Sequence, residues 1–213
     1  YAGNKDNLKK FHNIKNYNFK KIDINSKKLI KTFYDFKPDI LINFAAETHV
    51  DRSIDSAKKF LITNILGTQN LLEISKNYCQ KKNNKKFKFI HISTDEVFGD
   101  LNNKNKKFNI KTNYNPSSPY SASKASSDHL VRAWNRTYNL NTIIINCSNN
   151  YGPYQYPEKL IPHAIISLIK KKKIPIYGNG NQIRDWLFVD DHIEAIEKVI
   201  KKGKIGKTYL IGG

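Results

Sequence analysis

The 213-residue sequence contains no methionine, two cysteines and ten glycines. Cys79 and Cys147 lie far apart, which predicts free thiols in a reducing compartment and no disulfide framework. No apolar run approaches the roughly 18 to 20 residues that a membrane-spanning helix needs, and the opening YAGNKDNLKKF lacks the pattern of a secretory signal. We therefore expect a cytoplasmic protein without a membrane partner. The absence of methionine also indicates a fragment.

Acidic residues are scarce: 18 Asp and Glu stand against 37 Lys and Arg, which gives a formal net charge of +19. A nucleic-acid partner is one explanation of such a charge. However, the lysines are scattered among asparagines, as in KKNNKK (81–86), with little of the interleaved arginine or aromatic residue that nucleic-acid readers use. We therefore predict lysine-rich solvated faces and no nucleic-acid partner. Attraction of an anionic small substrate stays open. No His, Cys or Asp cluster has the spacing of metal ligands, so we expect no metal.

Strand-like and helix-like segments alternate along the chain with short connections, which predicts an α/β fold with a doubly wound parallel sheet of Rossmann type. The run DILINFAA (39–46) is apolar throughout, as in a strand buried on both faces. In such sheets ligands bind outside the carboxyl ends of the strands. We predict strand segments over 19–25, 39–46, 86–93, 142–146, 175–178 and 208–213, and helices over 26–36, 56–79, 118–138, 158–171 and 190–201.

A glycine-rich dinucleotide loop is not found in the sequence. GNGNQI (178–183) supplies two glycines, but the third position is Ile183 and no helix clearly follows. We interpret this segment as a turn, and expect any true glycine-rich loop to precede Tyr1.

Tyr120 and Lys124 stand four residues apart at the start of a predicted helix, which Ser118 can cap and Pro119 can begin. An adjacent ammonium favours a phenolate, so such a tyrosine can act as a base. The spacing alone is a weak motif in a lysine-rich chain. Asp95 and Glu96, just past the strand that ends in Thr94, are by themselves more typical of a polar turn than of a proton-transfer pair.

Four segments together resemble the extended short-chain dehydrogenase/reductase superfamily, and within it the dTDP-glucose 4,6-dehydratase family. They are HISTDEVFGD, NPSSPYSASKASSDHLVRAW, NCSNNYGPYQYPEKLIP and PIYGNGNQIRDWLFVDDH. The resemblance covers essentially the whole chain, and implies that the first strand and its glycine-rich loop are missing, so that the fragment alone is inactive. Departures are Thr48 where Ser is common, Phe98 where Tyr is common, and a shorter, lysine-rich loop over 100–115.

The resemblance implies conversion of dTDP-glucose to dTDP-4-keto-6-deoxyglucose with bound NAD, through transient C4 oxidation, elimination of water across C5 and C6, and hydride return to C6. Tyr120 would be the base at the C4 hydroxyl, assisted by Thr94. Lys124 would hold the nicotinamide ribose and lower the pKa of Tyr120. Asp95 would protonate the leaving C6 hydroxyl, and Glu96 would remove the C5 proton.

The resemblance also implies the binding residues. Lys159 and Arg184 have the charge expected of diphosphate partners. The cofactor set is Asp23, Ile24, Phe44, Ala45, Ala46, Glu47, Thr63, Tyr120, Lys124 and Asn150. The substrate set is Thr48, Thr94, Asn149, Lys159, Leu160, Pro175, Ile176, Tyr177 and Arg184.

The implied organisation is an NAD-binding domain over 1–152 and an incomplete, mainly sugar-nucleotide-binding region over 153–213 that can recross to the main sheet. A homodimer formed through the helices at 56–79 and 118–138 is expected. Three alternatives stay open: a 4,6-dehydratase of UDP- or GDP-sugars, a UDP-sugar 4-epimerase or decarboxylase, and a non-enzymatic basic binding protein. We interpret His91 as a core residue and His49 as a local structural residue.

Overall fold

The computed structural model describes residues 2–101, 107–174, 176 and 179–213. Within them, parallel strands form a main sheet and a small second sheet. The strands are β1 (Ile40–Asn43), β2 (Lys88–Thr94), β3 (Thr142–Cys147), β4 (Asn149–Tyr151), β5 (Trp186–Phe188) and β6 (Thr208–Ile211). The main sheet has the order β1-β2-β3-β6, and β4 pairs with β5. The predicted α/β fold with a parallel sheet is confirmed.

Helices cover both faces of the main sheet. They are α1 (Lys28–Phe36), α2 (Val50–Asp55), α3 (Lys58–Phe60), α4 (Gly67–Lys82), α5 (Pro119–Tyr138), α6 (Leu160–Ile169) and α7 (Val189–Lys202). Two 3-10 turns, Lys5–Phe11 and Asp95–Phe98, and a π-helical segment, Leu61–Leu66, complete the described elements.

The core lies on the two faces of β2 and β3. Every residue of β3 is buried, and alternate side chains point to opposite faces. On one face Phe89 and Ile144 pack with α1, α4 and α5. On the other face Ile90 and Ile143 pack with α7. Burial of each such side chain contributes about 1.5 to 3 kcal/mol to folding, so these two strands anchor the residues that follow them.

Strand β1 corrects an expectation. The 39–46 run was expected to be buried on both faces, but only Ile40–Asn43 forms a strand, and it lies at the edge of the sheet with Ile40 38% exposed. Residues 19–25, predicted as a strand, form no strand. There the Asp23 carboxylate accepts a hydrogen bond from the Asn25 amide at 2.7 Å, which favours a turn over an extended backbone.

The predicted helix over 56–79 is interrupted. α3 and α4 are joined by the π-helical segment Leu61–Leu66, in which Asn64 is buried and its side-chain oxygen accepts from the Glu47 amide. Such segments often occur at functional sites. A periodicity of apolar residues does not reveal this π segment, because six residues are too few to define a period of their own.

Helix α5 begins as predicted. Ser118 is the N-cap, its hydroxyl accepts from the Ser121 amide at 3.1 Å, Ser121 completes a capping box, and Pro119 occupies the first turn. The predicted helices around 158–171 and 190–201 are observed as α6 and α7. Asp190 and Asp191 lie in the first turn of α7, as expected.

The second sheet was not predicted. β4 follows β3 after a single residue, and its parallel partner β5 directly precedes α7. The chain then returns to the main sheet as β6. Of the predicted segment 175–178, Pro175, Tyr177 and Gly178 lie outside the described residues. Ile176 lies in no strand and is 75% exposed.

Candidate active site

The residues that follow β2 form a tight turn at the carboxyl end of the main sheet. Thr94 caps the turn: its hydroxyl oxygen accepts from the Glu96 amide at 3.2 Å and its hydroxyl donates to Asp95 Oδ1 at 3.2 Å. Gly99 ends the turn with φ +78°, and a Cβ there would lie 2.1 Å from the Asn115 carbonyl oxygen. The chain that leads into α5 is thereby held against this turn, which we call the β2 turn (Thr94–Phe98).

Both carboxyl groups of the β2 turn are half-buried. Burial is the largest influence on each and raises the pKa of both Asp95 and Glu96. The charge of Asp95 raises the pKa of Glu96 further, while Arg184 opposes the rise at both acids. Two adjacent acids with raised pKa values can exchange protons near neutral pH more readily than solvated carboxylates.

Tyr120 lies in the first turn of α5 and is buried. Its backbone amide donates to the Ser53 hydroxyl at 3.1 Å, and its ring packs edge-on against Phe60 at 6.4 Å. Burial and then the charge of Glu96 raise the pKa of the Tyr120 phenol, whereas a hydrogen bond with Thr94 lowers it. The ionisation of the Tyr120 phenol therefore depends on both the Thr94 hydroxyl and the Glu96 carboxyl group.

The structure differs from the expectation for Lys124. Its ammonium is buried and donates to the Ile92 carbonyl oxygen at 2.7 Å. Lys124 is not among the main influences on the pKa of Tyr120, which burial raises instead of the expected fall. Burial also lowers the pKa of Lys124, because removal from water disfavours its charge, whereas the charge of Asp128 opposes this fall.

A second part of the candidate site is the loop that follows β1. We call residues Phe44–Thr48 the β1 loop; Phe44 is 54% exposed, and Ala45 is also exposed. Asn64, from the π-helical segment, fixes this loop: its oxygen accepts from the Glu47 amide at 2.9 Å and its amide donates to the Glu47 carbonyl at 3.0 Å. The same amide donates to Ser123 of α5 at 2.8 Å. The loop is thus tied to the helix that carries Tyr120.

The other expected cofactor residues are spread over three places. Asp23 is exposed in its turn, and Ile24 packs so closely on Gly67 that a Cβ there would lie 2.3 Å from its terminal carbon. Thr63 is half-buried beside Asn64. Asn150 donates to Ser148 O at 3.1 Å, and its buried Oδ1 has no hydrogen-bond partner among the described residues. A buried oxygen without a partner among the described residues can accept a hydrogen bond from a polar ligand such as a dinucleotide.

The expected substrate residues partly converge. Lys159 donates to the Thr48 carbonyl at 3.4 Å, and burial lowers the pKa of Lys159 while Glu96 opposes the fall. Arg184 is exposed and acts electrostatically on both acids of the β2 turn. Asn149 begins β4, whereas Leu160 and Ile176 are exposed. Pro175 and Tyr177 lie outside the described residues.

The family model described as GDP-mannose 4,6 dehydratase matches residues 1–213. The chain belongs to this family. A curated relative, the dTDP-glucose 4,6-dehydratase of Neisseria meningitidis serogroup B, is 53% identical over 217 residues, which cover 100% of this chain and 61% of that protein.

Two solved structures of nucleotide-sugar enzymes are similar to this chain. DesIV, a dTDP-glucose 4,6-dehydratase from Streptomyces venezuelae with NAD and TYD bound, matches with a TM-score of 0.91 at 40% identity, over 99% of this chain and 63% of that one. UDP-glucuronic acid 4-epimerase from Bacillus cereus, in complex with UDP-glucuronic acid and NAD, matches with a TM-score of 0.88 at 29% identity, over 98% and 64%. The chain therefore spans less than two thirds of the length of each of these proteins.

Sequence reasoning missed residues that position the site in this family member. Asn64 fixes the β1 loop, Ser53 holds the first turn of α5, and the fully buried Asp128 lies two turns beyond Tyr120. A polar residue at a core-facing position of an otherwise apolar helix pattern is the signal that could have found Asn64. Ser53 carries no such signal, because its role depends on a contact 67 residues away in sequence.

The remaining singled-out residues have structural roles. His91 is buried inside β2, as expected, and His49 caps α2 by accepting from the Arg52 amide at 3.4 Å. Within the described ranges no group of three or more His, Cys, Asp or Glu side chains is arranged to hold a metal ion. In the same residues, no helix combines the length and apolar character needed to span a bilayer.

Proposed function

We propose that the full-length protein is an NAD-dependent dTDP-glucose 4,6-dehydratase, a hydro-lyase that forms dTDP-4-keto-6-deoxyglucose. One observation carries this proposal above all: Thr94, Asp95 and Glu96 share one turn beside the buried Tyr120, and burial raises the pKa of both carboxyl groups. Elimination across C5 and C6 needs an acid and a base at neighbouring carbons, and this turn supplies two acids at one strand end.

Tyr120 is the proposed base at the C4 hydroxyl. Its raised pKa means that the free phenol holds its proton, so that a cation near the site has to favour the phenolate. A hydrogen bond between Tyr120 and Thr94 lowers this pKa and supports the same ionisation. Lys124, four residues along the same helix face, is the proposed ribose ligand and source of positive charge.

Asp95 and Glu96 have separate proposed roles in the elimination of water. Asp95 is the proposed donor to the leaving C6 hydroxyl, and Glu96 the proposed acceptor of the C5 proton. A ketone at C4 acidifies the C5 proton, so a carboxylate is a strong enough base. The charge of Asp95 raises the pKa of Glu96, which disfavours ionisation of both carboxyl groups at once.

Bound NAD would supply the hydride acceptor and donor for this chemistry. The small residues Ala45 and Ala46 of the β1 loop let a dinucleotide approach the backbone, and the buried Asn150 oxygen is a further acceptor, without a partner among the described residues. The proposed cofactor set is otherwise that implied by the sequence: Asp23, Ile24, Phe44, Ala45, Ala46, Glu47, Thr63, Tyr120, Lys124 and Asn150.

Arg184 and Lys159 are the proposed partners of the substrate diphosphate, since both are cations that act electrostatically on Glu96 of the β2 turn. We assign residues 1–152 to NAD binding and 153–213 mainly to the sugar nucleotide, with β6 completing the main sheet. We also propose a cytoplasmic homodimer, with α4 and α5 as its candidate contact helices, and no nucleic-acid partner.

A second candidate is dehydration of a GDP-linked sugar, because the matching family model is described as GDP-mannose 4,6 dehydratase. A UDP-sugar epimerase shares the fold, as the Bacillus cereus enzyme illustrates. However, epimerisation does not require two acids at the β2 turn. The nucleotide base is the property on which these candidates differ.

The deciding experiment is a product assay of the full-length protein with NAD+ and dTDP-glucose in deuterated water, followed by NMR. A C6 methyl signal with deuterium at C5 is the expected result. A galactose-configured product without deuterium at C5 would instead establish epimerisation. An unchanged substrate, together with turnover of GDP-mannose or a UDP-sugar, would reassign the nucleotide.

A further inference from the structure

Beneath the proposed site lies a fully buried carboxylate that the reaction does not use. Tyr120, Lys124 and Asp128 are spaced by four residues on α5, so they form one column along the inner face of the helix. Asp128 is 0% exposed. A buried carboxylate is costly unless hydrogen bonds and an opposite charge compensate it.

Three hydrogen bonds converge on one oxygen of Asp128. Its Oδ2 accepts from the Ser93 hydroxyl at 3.0 Å, the Tyr114 hydroxyl at 2.7 Å and the Asn146 amide at 3.1 Å. These donors come from β2, from the chain before α5 and from β3. The other oxygen, Oδ1, lies 3.5 Å from His91 Nε2 and has no hydrogen-bond partner among the described residues. Hydrogen bonding thus satisfies only half of the carboxylate.

The histidine beside Asp128 is neutral. Asn43 accepts from the Ala45 amide through Oδ1, so its Nδ2 donates to His91 Nδ1 at 3.3 Å. The proton of His91 is therefore on Nε2, which lies 3.1 Å from the Ser127 hydroxyl. Burial, followed by the charge of Lys124, holds the pKa of His91 well below its usual range. His91 consequently gives Asp128 no positive charge.

The cations near Asp128 are Lys124 and Arg132. Arg132 donates to the Tyr114 hydroxyl at 2.7 Å and stacks over that ring, so it reaches Asp128 through Tyr114. Burial raises the pKa of both Tyr114 and Cys147, which keeps these two neighbours uncharged. Lys124 is the first electrostatic influence on Asp128, and Asp128 is the first on Lys124. Burial still raises the pKa of Asp128 and lowers that of Lys124, and each charge opposes the effect of burial on the other.

We propose that Asp128 is a positioning residue for Lys124, a buried counter-charge that keeps the lysine ammonium ionised and directed at the end of β2. Without it, burial would favour a neutral amine. The functional consequence rests on the proposed roles of Lys124 and Tyr120. The charge pairing itself does not, because it depends only on the folded chain.

The first test is the pH profile of turnover in the full-length protein. Asp128→Asn keeps the side-chain shape and removes the charge, so we expect the alkaline limb to move to lower pH by about one unit or more. The matched control is Tyr114→Phe, which removes one hydrogen bond to Asp128 and leaves its charge; its alkaline limb should coincide with that of the wild type. If the alkaline limbs of the wild type, Asp128→Asn and Tyr114→Phe coincide, the proposal is wrong.

The second test is a double-mutant cycle on stability, which needs no activity and so remains decisive if the proposed function is wrong. Asp128→Asn should lower the denaturant midpoint of the wild type, but should have little effect or raise it when Lys124→Met is already present. Additive effects would refute the charge pairing. If Asp128→Asn alone does not fold, the charge pairing predicts that the double variant with Lys124→Met does fold. If neither variant folds, the charge pairing is contradicted.

Discussion

The β1 loop and the β2 turn follow neighbouring strands at the same edge of the sheet, yet they are built for different tasks. The β1 loop exposes Phe44 and Ala45 and is held through its backbone by Asn64. The β2 turn half-buries two acids and is capped by a side chain, Thr94. The β1 loop is an exposed surface held in place through its backbone, whereas the β2 turn alters the proton affinity of its own groups.

The difference follows from position in the sheet. β1 lies at the edge of the main sheet in the described residues, and Phe44 and Ala45 after it are exposed. β2 lies between two strands, and the turn after it packs against α5. Burial of this turn accordingly raises the pKa of both of its acids. Four variants test this difference between the β1 loop and the β2 turn, and they follow in order of decreasing expected effect.

Tyr120→Phe should reduce turnover by roughly 10⁴-fold, because it removes the proposed base of the first step. Affinity for NAD+, measured by titration calorimetry, should fall far less than turnover, because the other proposed cofactor residues remain. A matched control is Tyr138→Phe, on the exposed end of the same helix, which should retain turnover. Comparable activity of Tyr120→Phe and Tyr138→Phe would remove Tyr120 from the mechanism.

Glu96→Gln should reduce product formation by roughly 10³-fold, because it removes the proposed acceptor of the C5 proton. Oxidation at C4 should persist, so reduced cofactor should accumulate in single-turnover absorbance measurements. Glu73→Gln, a carboxylate on α4 paired with Lys76, is the control. Loss of C4 oxidation in Glu96→Gln would mean that the β2 turn acts before elimination.

Asn64→Ala should weaken NAD+ binding by about tenfold, because it leaves the Glu47 amide and carbonyl without their partners. The pH profile of turnover at saturating cofactor should stay in place, since the β2 turn is untouched. Asn77→Ala, an exposed amide on α4, serves for comparison. A shifted profile would show that the two regions are coupled.

Asp95→Asn should raise the melting temperature at pH 7 slightly, by about 2 °C. Because burial raises the folded pKa of Asp95 above its unfolded value, its stability contribution is complete below the unfolded pKa and is lost as pH rises through the folded pKa. The ionised group therefore costs stability at pH 7, and the neutral amide removes that cost.

Calorimetric scans at pH 7 and pH 4 test this, and the gain should shrink at pH 4, where Asp95 is more fully protonated. Asp35→Asn, an exposed carboxylate on α1, provides the reference. An equal gain at both pH values would point to a cause other than ionisation.

Much of the fold was predictable, because apolar periodicity reports burial directly. The cores of β2 and β3, the start of α5 and the extent of α7 agree with the sequence pattern. The apolar pattern gave wrong predictions where pairing with other strands determines the structure. Residues 19–25 have no pairing strand among the described residues. The strands β4 and β5 have three residues each, which is too short for a periodic pattern to be recognised.

The sequence by itself determined which chemical groups are present and their order: an acid pair after a strand, and a tyrosine and a lysine four residues apart on a helix. Their properties were decided by the tertiary structure. Burial raises the pKa of Tyr120 where the spacing to Lys124 predicted a fall. Asn64 and Asp128 took their roles from partners many residues away. Ionisation depends on desolvation and on charges in space, and neither is written in the local order of residues.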